Sequence, residues 1–315
     1  MNLLSLFLGT LEVTLPVFAM VFLGLGLKRI GWIDHAFITT ASSLVFNGTM
    51  PTLIFLSLIN ADLDVALNPR LLGFFTLATL ACFLLAWAWA IWRIPYADRG
   101  VYVQGAFRGN CGIIGLALAA SMYGDYGLSA GGLLLGVVIL SYNILSVFIL
   151  SRYQDQRHMN WRSIAANIAR NPLILAVVVA VPVTAMGLRL PVWLMHTGEY
   201  FASLTLPLAL ICIGATLSLG AIQASGRLAA GASVMKMVTL PALATTGAWL
   251  AGFEGRELGV LFLFFASPTA AASFVMVKAM GGNAVLTANI IAISTLLASI
   301  TITLGAFILA VAGLI

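Results

Sequence analysis

The sequence predicts an all-α polytopic membrane protein: ten transmembrane helices forming two inverted five-helix repeats, with helices 4 and 9 broken where they cross. Three observations predict this class. The 315-residue chain is 62% hydrophobic and 8% charged, with a mean hydropathy of +1.08; a soluble domain carries about 25% charged residues. Its apolar runs approach the ~20 residues needed to cross a bilayer, and the loops between them leave no room for a sizeable soluble domain. Two runs carry helix-breaking residues at corresponding depths, Phe107-Arg108-Gly109-Asn110-Cys111-Gly112 and Ser267-Pro268-Thr269.

In chain order the expected spans are 10–29, 36–58, 70–92, 99–123 and 127–150, then 170–187, 199–221, 228–251, 257–280 and 284–312. Residues 1–150 form the first repeat, 151–169 a cytoplasmic linker and 170–315 the second repeat. Glu12 lies inside the first run, which has no basic flank before it, so that run reads as a mature helix at the outer interface rather than a signal peptide. Alternate loops hold Lys28, Arg29, Arg93, Arg99, Arg152, Arg157, Arg162, Arg170, Arg227 and Lys278. The opposite loops hold Arg70, Arg189 and Arg256 beside Asp62, Asp64, Asp125, Glu199, Glu254 and Glu257. Lysine and arginine mark cytoplasmic loops. Both termini are therefore expected on the extracytoplasmic side of a cell membrane. The net charge of +5 is explained by orientation, and no nucleic-acid partner is expected.

The halves echo each other. Pro51 in span two and Pro207 in span seven open similar apolar runs, 156 residues apart. At an offset of 158, Phe107 aligns with Phe265, Met122 with Met280 and Gly124 with Gly282. The same alignment places small residues opposite one another: Gly109 with Ser267, Gly112 with Ala270, Gly115 with Ser273. Five spans per repeat is an odd number, so the second copy enters the membrane upside down. Inverted repeats with paired interrupted helices are a carrier signature.

The breaks follow from residue chemistry. Glycine costs roughly 1 kcal/mol against alanine within a helix, and asparagine favours caps. Proline cannot donate to the preceding turn. Asn110 is expected to cap a half-helix starting at Cys111, and Ser267 to cap another with Pro268 at its first position. Inversion aims both N-termini at the midplane, where their unpaired N–H groups and partial positive charges would hold an anion, most simply a carboxylate. The candidate substrate-binding residues are Asn110, Arg108, Gly109, Cys111, Asn143, Ser267 and Thr269, and the candidate break residues are Gly109, Gly112, Pro268, Pro51 and Pro207.

Structural readings stand beside these. The glycines suit close helix packing, and small-residue faces are compatible with a homodimer. Arg108 lies roughly 13 Å along a helix from Arg99 and can serve structure or substrate. Lys236, equally deep in span eight, reads as a snorkelling lysine. Asn143 either faces the cavity or bonds a neighbouring helix. Asn47, four residues before Pro51, is expected to tend carbonyls freed by that proline. Cys82, Cys111 and Cys212 lie far apart in apolar runs, without disulfide or metal spacing. His35, His158 and His196 have no catalytic partner in sequence. No enzyme activity and no cofactor or metal is expected.

Four stretches resemble the auxin efflux carrier family of membrane transporters, which includes plant PIN-type carriers and bacterial carriers of malonate and similar acids. They are LPVFAMVFLGLGLKRIGWID in span one, LVFNGTMPTLIF in span two, FRGNCGIIGLALAASMYG in span four and SPTAAASFVMVKAMGGNAVLTANIIAISTLLA across spans nine and ten. The resemblance covers nearly the whole chain. It implies a scaffold domain, a transport domain, crossed broken helices and elevator-like movement of organic anions. The family's polar residue at the first crossing helix matches Asn110, and its crossing proline in the second matches Pro268. One departure is Leu116-Ala117, where relatives often have Leu-Pro. The span-four break then rests on its glycines and Asn110.

The leading expectation is a secondary carrier for a small organic acid anion, either an auxin-like monocarboxylate or a malonate-like dicarboxylate. The alternative is a cation/proton antiporter of the related inverted-repeat fold, which needs buried carboxylates that the span centres lack. A membrane sensor or assembly protein is a third class, without a signalling domain to support it.

Overall fold

The computed structural model describes residues 3–60, 68–153, 169–188, 190–217 and 226–315. Most of the expected linker, with Arg157, His158 and Arg162, lies outside the described residues, as do Asp62, Asp64 and Arg189. Among the described residues the chain is helical, with no sheet and a single isolated bridge between extended residues.

Helix α1 (Leu3–Arg29) ends on Lys28 and Arg29, which face the negative end of its dipole. Asp34 caps α2 (His35–Leu44) by accepting from the Phe37 amide. A wide π-turn, Val45–Thr49, joins α2 to α3 (Met50–Ile59). Pro51 explains that turn: it offers no N–H, and its ring would press on the carbonyl one turn back. Asn47 instead donates to the Ser43 carbonyl at 3.0 Å. Asn68 caps α4 (Pro69–Arg93), and Asn171 caps α7 (Pro172–Ala185), each followed by a proline at the first helical position.

Between these lie α5 (Arg99–Phe107), a second π-turn at Cys111–Gly115 and α6 (Leu116–Tyr153). Helix α6 doubles back at Gly124, whose φ of 56° and ψ of −134° suit glycine. The fold-back is tight: a Cβ on Gly127 would meet the Ala119 carbonyl oxygen at 2.0 Å. Then come α8 (Val192–Ser203) and α9 (Thr205–Thr216), bent at Leu204, three residues before Pro207. Helices α10 (Arg227–Val234) and α11 (Leu240–Leu250) flank a third π-turn, Met235–Thr239, again just before a proline, Pro241. Helices α12 (Gly255–Phe265), α13 (Ala272–Ala279) and α14 (Ala284–Val311) complete the chain.

By length and composition, seven described stretches can cross a membrane: Leu3–Arg29, His35–Ile59, Pro69–Arg93, Cys111–Tyr153, Val192–Thr216, Arg227–Leu250 and Ala284–Val311. Pro172–Thr184 is a shorter apolar helix. The expected fourth and ninth spans are missing from that set as continuous helices because each is divided in two. Cys111–Tyr153 is longer than one crossing and turns at Gly124.

Two packing groups enclose the divided helices. In one, α1 lies along α9 and α3 along α7. In the other, α5 and α6 pack with α4, and α10 and α13 pack with α14. The α1–α9 contact is backbone against backbone. A Cβ on Gly24 would fall 2.1 Å from the Ile211 carbonyl oxygen, and one on Gly214 would fall 1.7 Å from that of Val21. Gly26, two residues along α1, has nothing within 4 Å of its Cβ position.

Gly214→Ala should therefore lower stability by about 1–3 kcal/mol through overpacking. Gly26→Ala should be neutral or slightly stabilising through helix propensity. Thermal unfolding in detergent checks both. Equal melting temperatures for the two variants would contradict the close α1–α9 approach.

Candidate functional site

Helix α5 stops at Phe107 and α12 at Phe265, the two phenylalanines that align between the halves. The amides of Arg108 and Ser267 make the last bonds back into the two helices, to Gln104 and Phe264, and beyond them the chain leaves the helical pattern. Arg108 is extended, with φ −80° and ψ 98°. Backbone groups at bilayer depth need partners, because lipid supplies none. Here the two segments supply each other. Gly109 and Thr269 form an antiparallel bridge. The Asn110 amide donates to the Pro268 carbonyl at 2.6 Å, and the Ala270 amide donates to the Arg108 carbonyl at 3.0 Å. Pro268 has no N–H, so it contributes only its carbonyl.

Side chains satisfy the remaining helix ends. Lys236 Nζ donates to the Phe265 carbonyl at 2.8 Å, and Cys111 Sγ to that of Phe264 at 3.2 Å. Ser267 Oγ donates back to Leu263 O at 2.8 Å, and Thr269 Oγ1 crosses to Gly105 O at 2.8 Å. The Thr269 amide donates to Ser294 Oγ at 3.1 Å. Gly115 lets the chains approach, since a Cβ there would lie 2.6 Å from Ser267 Oγ.

Beyond the crossing, each chain starts a new helix. In the Cys111–Gly115 turn the first amide to reach back is that of Ile114, to the Asn110 carbonyl at 3.1 Å. In α13 it is that of Ser273, to Ala270 at 2.9 Å. The amides preceding them are the free donors of a helix N-terminus. Both ends border one cavity of about 300 Å³. Asn110, Gly112, Ile113 and Ala270–Ala272 form one wall, while Ser42, Phe46, Met50, Cys212 and Thr216 from α2, the following turn, α3 and α9 face them. The lining is mostly apolar, with Asn110 among its residues and two positive helix ends at its border.

The structure thus brings Asn110 and Gly112 to the cavity and ties the other candidates elsewhere. Arg108, 8% exposed, donates to Asn143 Oδ1 and Ser146 Oγ, each at 3.1 Å. Asn143 accepts from Arg108, in the extended segment just beyond α5, and is not among the residues lining the cavity. Cys111 is fully buried, and Ser267 and Thr269 are spent on the crossing. Pro51 and Pro207 sit beside the bends of their helices rather than at the cavity.

Three local expectations are corrected. Asn110 makes no side-chain cap. Ser267 and Pro268 do not open the second half-helix, which begins at Ala272; Ser267 closes the first one, and Pro268 lies in the paired segment. Lys236 does not snorkel. It is 2% exposed and reaches inward to the end of α12, because a helix C-terminal carbonyl offers more there than the distant interface. Sequence reasoning also missed a second chamber of about 590 Å³, lined by Asn60, Asp125, Tyr126, Glu199 and Arg256. The signal lies in Asp125 and Glu199, acids of the sparsely charged loops that in sequence bear only on orientation.

The profile of a family described as membrane transport protein matches residues 10–161 and 156–305. An uncharacterised transporter of Methanocaldococcus jannaschii is 24% identical over 313 residues, covering 95% of this chain and 98% of that protein. An uncharacterised transporter of Methanothermobacter thermautotrophicus is 25% identical over 320 residues, covering 96% of this chain and all of that one.

Thr269→Val keeps the shape of the side chain and strands the Gly105 carbonyl, so it should cost about 1–2 kcal/mol. Thr79→Val removes a buried hydroxyl that has no partner and should cost nothing. Denaturant unfolding followed by near-ultraviolet dichroism separates the two. Equal stability would show that the crossing does not depend on this bond.

Proposed function

The chain belongs to the membrane transport protein family, the auxin efflux carriers, and from that premise we propose that it is a secondary carrier moving a small organic acid anion. The observation that carries the proposal is the meeting of two interrupted helices, N-terminal ends foremost, at one cavity. Free amides and aligned peptide dipoles favour a carboxylate there. The Asn110 side chain, which makes no cap bond, lines the cavity and adds a hydrogen bond to the anion. Of the two substrate classes, the lining favours an auxin-like monocarboxylate with a compact apolar body. A malonate-like dicarboxylate needs a second cationic partner, and neither Arg108 nor Lys236 lines the cavity. The antiporter alternative needs carboxylates, and the cavity lining contains none.

The same reading gives ten spans in two inverted repeats, a cell-membrane location and both termini outside the cytoplasm. Support comes from the family match to each half and from the aligned stops at Phe107 and Phe265. In this reading the helix group of α1, α3, α7 and α9 is the fixed body. The crossing moves against it, carrying the anion from the cavity at Asn110 to the polar chamber at Arg256 in an elevator-like step. No reacting group is assigned; the protein acts as a carrier and not as an enzyme.

Uptake of radiolabelled mono- and dicarboxylates into proteoliposomes tests this. A monocarboxylate should be carried. Asn110→Ala should raise its KM about tenfold, equivalent to one lost hydrogen bond to a charged group, with thermal unfolding unchanged. Pro268→Ala should reduce maximal flux more than expression. Absence of flux for every organic anion, or flux unaltered in both variants, would contradict the proposal.

A further inference from the structure

Two helices that pack on each other, α2 with the turn after it and α9, build the cavity wall opposite Asn110. Ser42 and Phe46 lie one helical turn apart on the first, and Cys212 and Thr216 one turn apart on the second, so each presents a single face to the cavity. The polar residues of that wall are Ser42, Cys212 and Thr216. Thr216 is already occupied, its Oγ1 donating to Ile213 O at 2.7 Å. Serine and threonine hydroxyls on helices commonly turn back in this way to a carbonyl three or four residues earlier. Thr39, Thr52 and Ser141 do so here. Ser42 does not. Among the described residues its side chain is paired with the Cys212 thiol, across the seam between the two helices.

A thiol is a poor partner for a hydroxyl, because S–H donates weakly and sulfur accepts weakly. The pair leaves the stronger hydrogen-bonding capacity of Ser42 largely unused on an apolar wall. A ligand that brings an O–H or N–H to Ser42 improves on the thiol, whereas one that brings a methyl group leaves the hydroxyl as it was. The carboxylate is held on the other side, at the helix ends beside Asn110, so the group that reaches this wall is at the far end of the ligand. A second carboxylate there would meet no cation, since neither arginine nor lysine lines the cavity. We infer that the carried acid bears an uncharged hydrogen-bonding group, a hydroxyl or an N–H, at the end away from its carboxylate, and that Ser42, with Cys212 beside it, selects for that group. The inference rests on the carrier reading above and narrows its substrate class.

Uptake into proteoliposomes of matched acids that exchange a terminal methyl for a hydroxyl tests this. The pairs are hexanoate with 5-hydroxypentanoate, and 4-methylphenylacetate with 4-hydroxyphenylacetate. Each pair is read as a ratio of KM values on one preparation, so differences in expression and folding cancel. In at least one pair the hydroxy acid should have a KM about tenfold lower, the worth of one hydrogen bond. S42A should bring the two members within about twofold, while S42T, which keeps a hydroxyl, should keep the preference. If S42A fails to fold, S42C carries the test, since a thiol in place of the hydroxyl should also cut the preference to about twofold or threefold. Equal KM values within both pairs for the natural chain would overturn the inference and leave the carrier reading standing. A preference that survives S42A, or one that S42T abolishes, would overturn it in the same way. Absence of uptake for all four acids and every other organic anion would overturn both.

Discussion

Two extended residues from one half of the chain pair with two from the other, and the rest of the structure depends on that pairing. A break within a membrane helix exposes peptide groups where water is absent, each at a cost of several kcal/mol if unpaired. A single broken helix has no local remedy. Two broken helices crossing at their breaks do, because the Asn110 and Ala270 amides find the Pro268 and Arg108 carbonyls. The crossing is a sheet ladder reduced to one bridge. Four side chains near it are turned to remaining carbonyls: Lys236, Cys111, Ser267 and Thr269.

The electrostatics follow from that geometry. The first half-helices, α5 and α12, bring their negative ends to the crossing, and the second halves bring positive ends, each worth about half an elementary charge. Lys236 meets the negative end of α12 directly, and Arg108 follows one residue after the end of α5. Both cations are buried, with neutral hydrogen-bond partners. The negative ends are thereby compensated on one side, while the positive ends are left open toward the cavity. Neither cation needs to touch a ligand for the region to favour an anion.

Much of this architecture is legible in the sequence. Composition alone excludes a soluble fold, and Asn68-Pro69, Asn171-Pro172 and Asn283 announce helix starts by local capping, which acts over three residues. The break positions are legible for the same reason, since glycine and proline act on their own turns. Ser267-Pro268 shows where local reading fails. The pair has the chemistry of a helix start, yet cross-pairing with Arg108 and Asn110 captures the segment and delays α13 to Ala272. The Lys236 bond joins residues 29 apart in sequence, and the Thr269 bond to Gly105 residues 164 apart. No window along the chain contains such contacts. Leu116-Ala117 held no warning either: the break before it is complete because Gly109 and Asn110 are held by partners in the other half.

A carboxylate seen bound to the protein tests the central claim most directly. A high-resolution cryo-electron microscopy map of the chain with a transported monocarboxylate should show the acid in the cavity beside Asn110. Its oxygens should lie within hydrogen-bond distance of the Gly112 or Ile113 amides on one side and the Ala271 or Ala272 amides on the other. Density seated instead on Arg108 or Lys236, or helices that run unbroken through Asn110 and Pro268, would contradict the account.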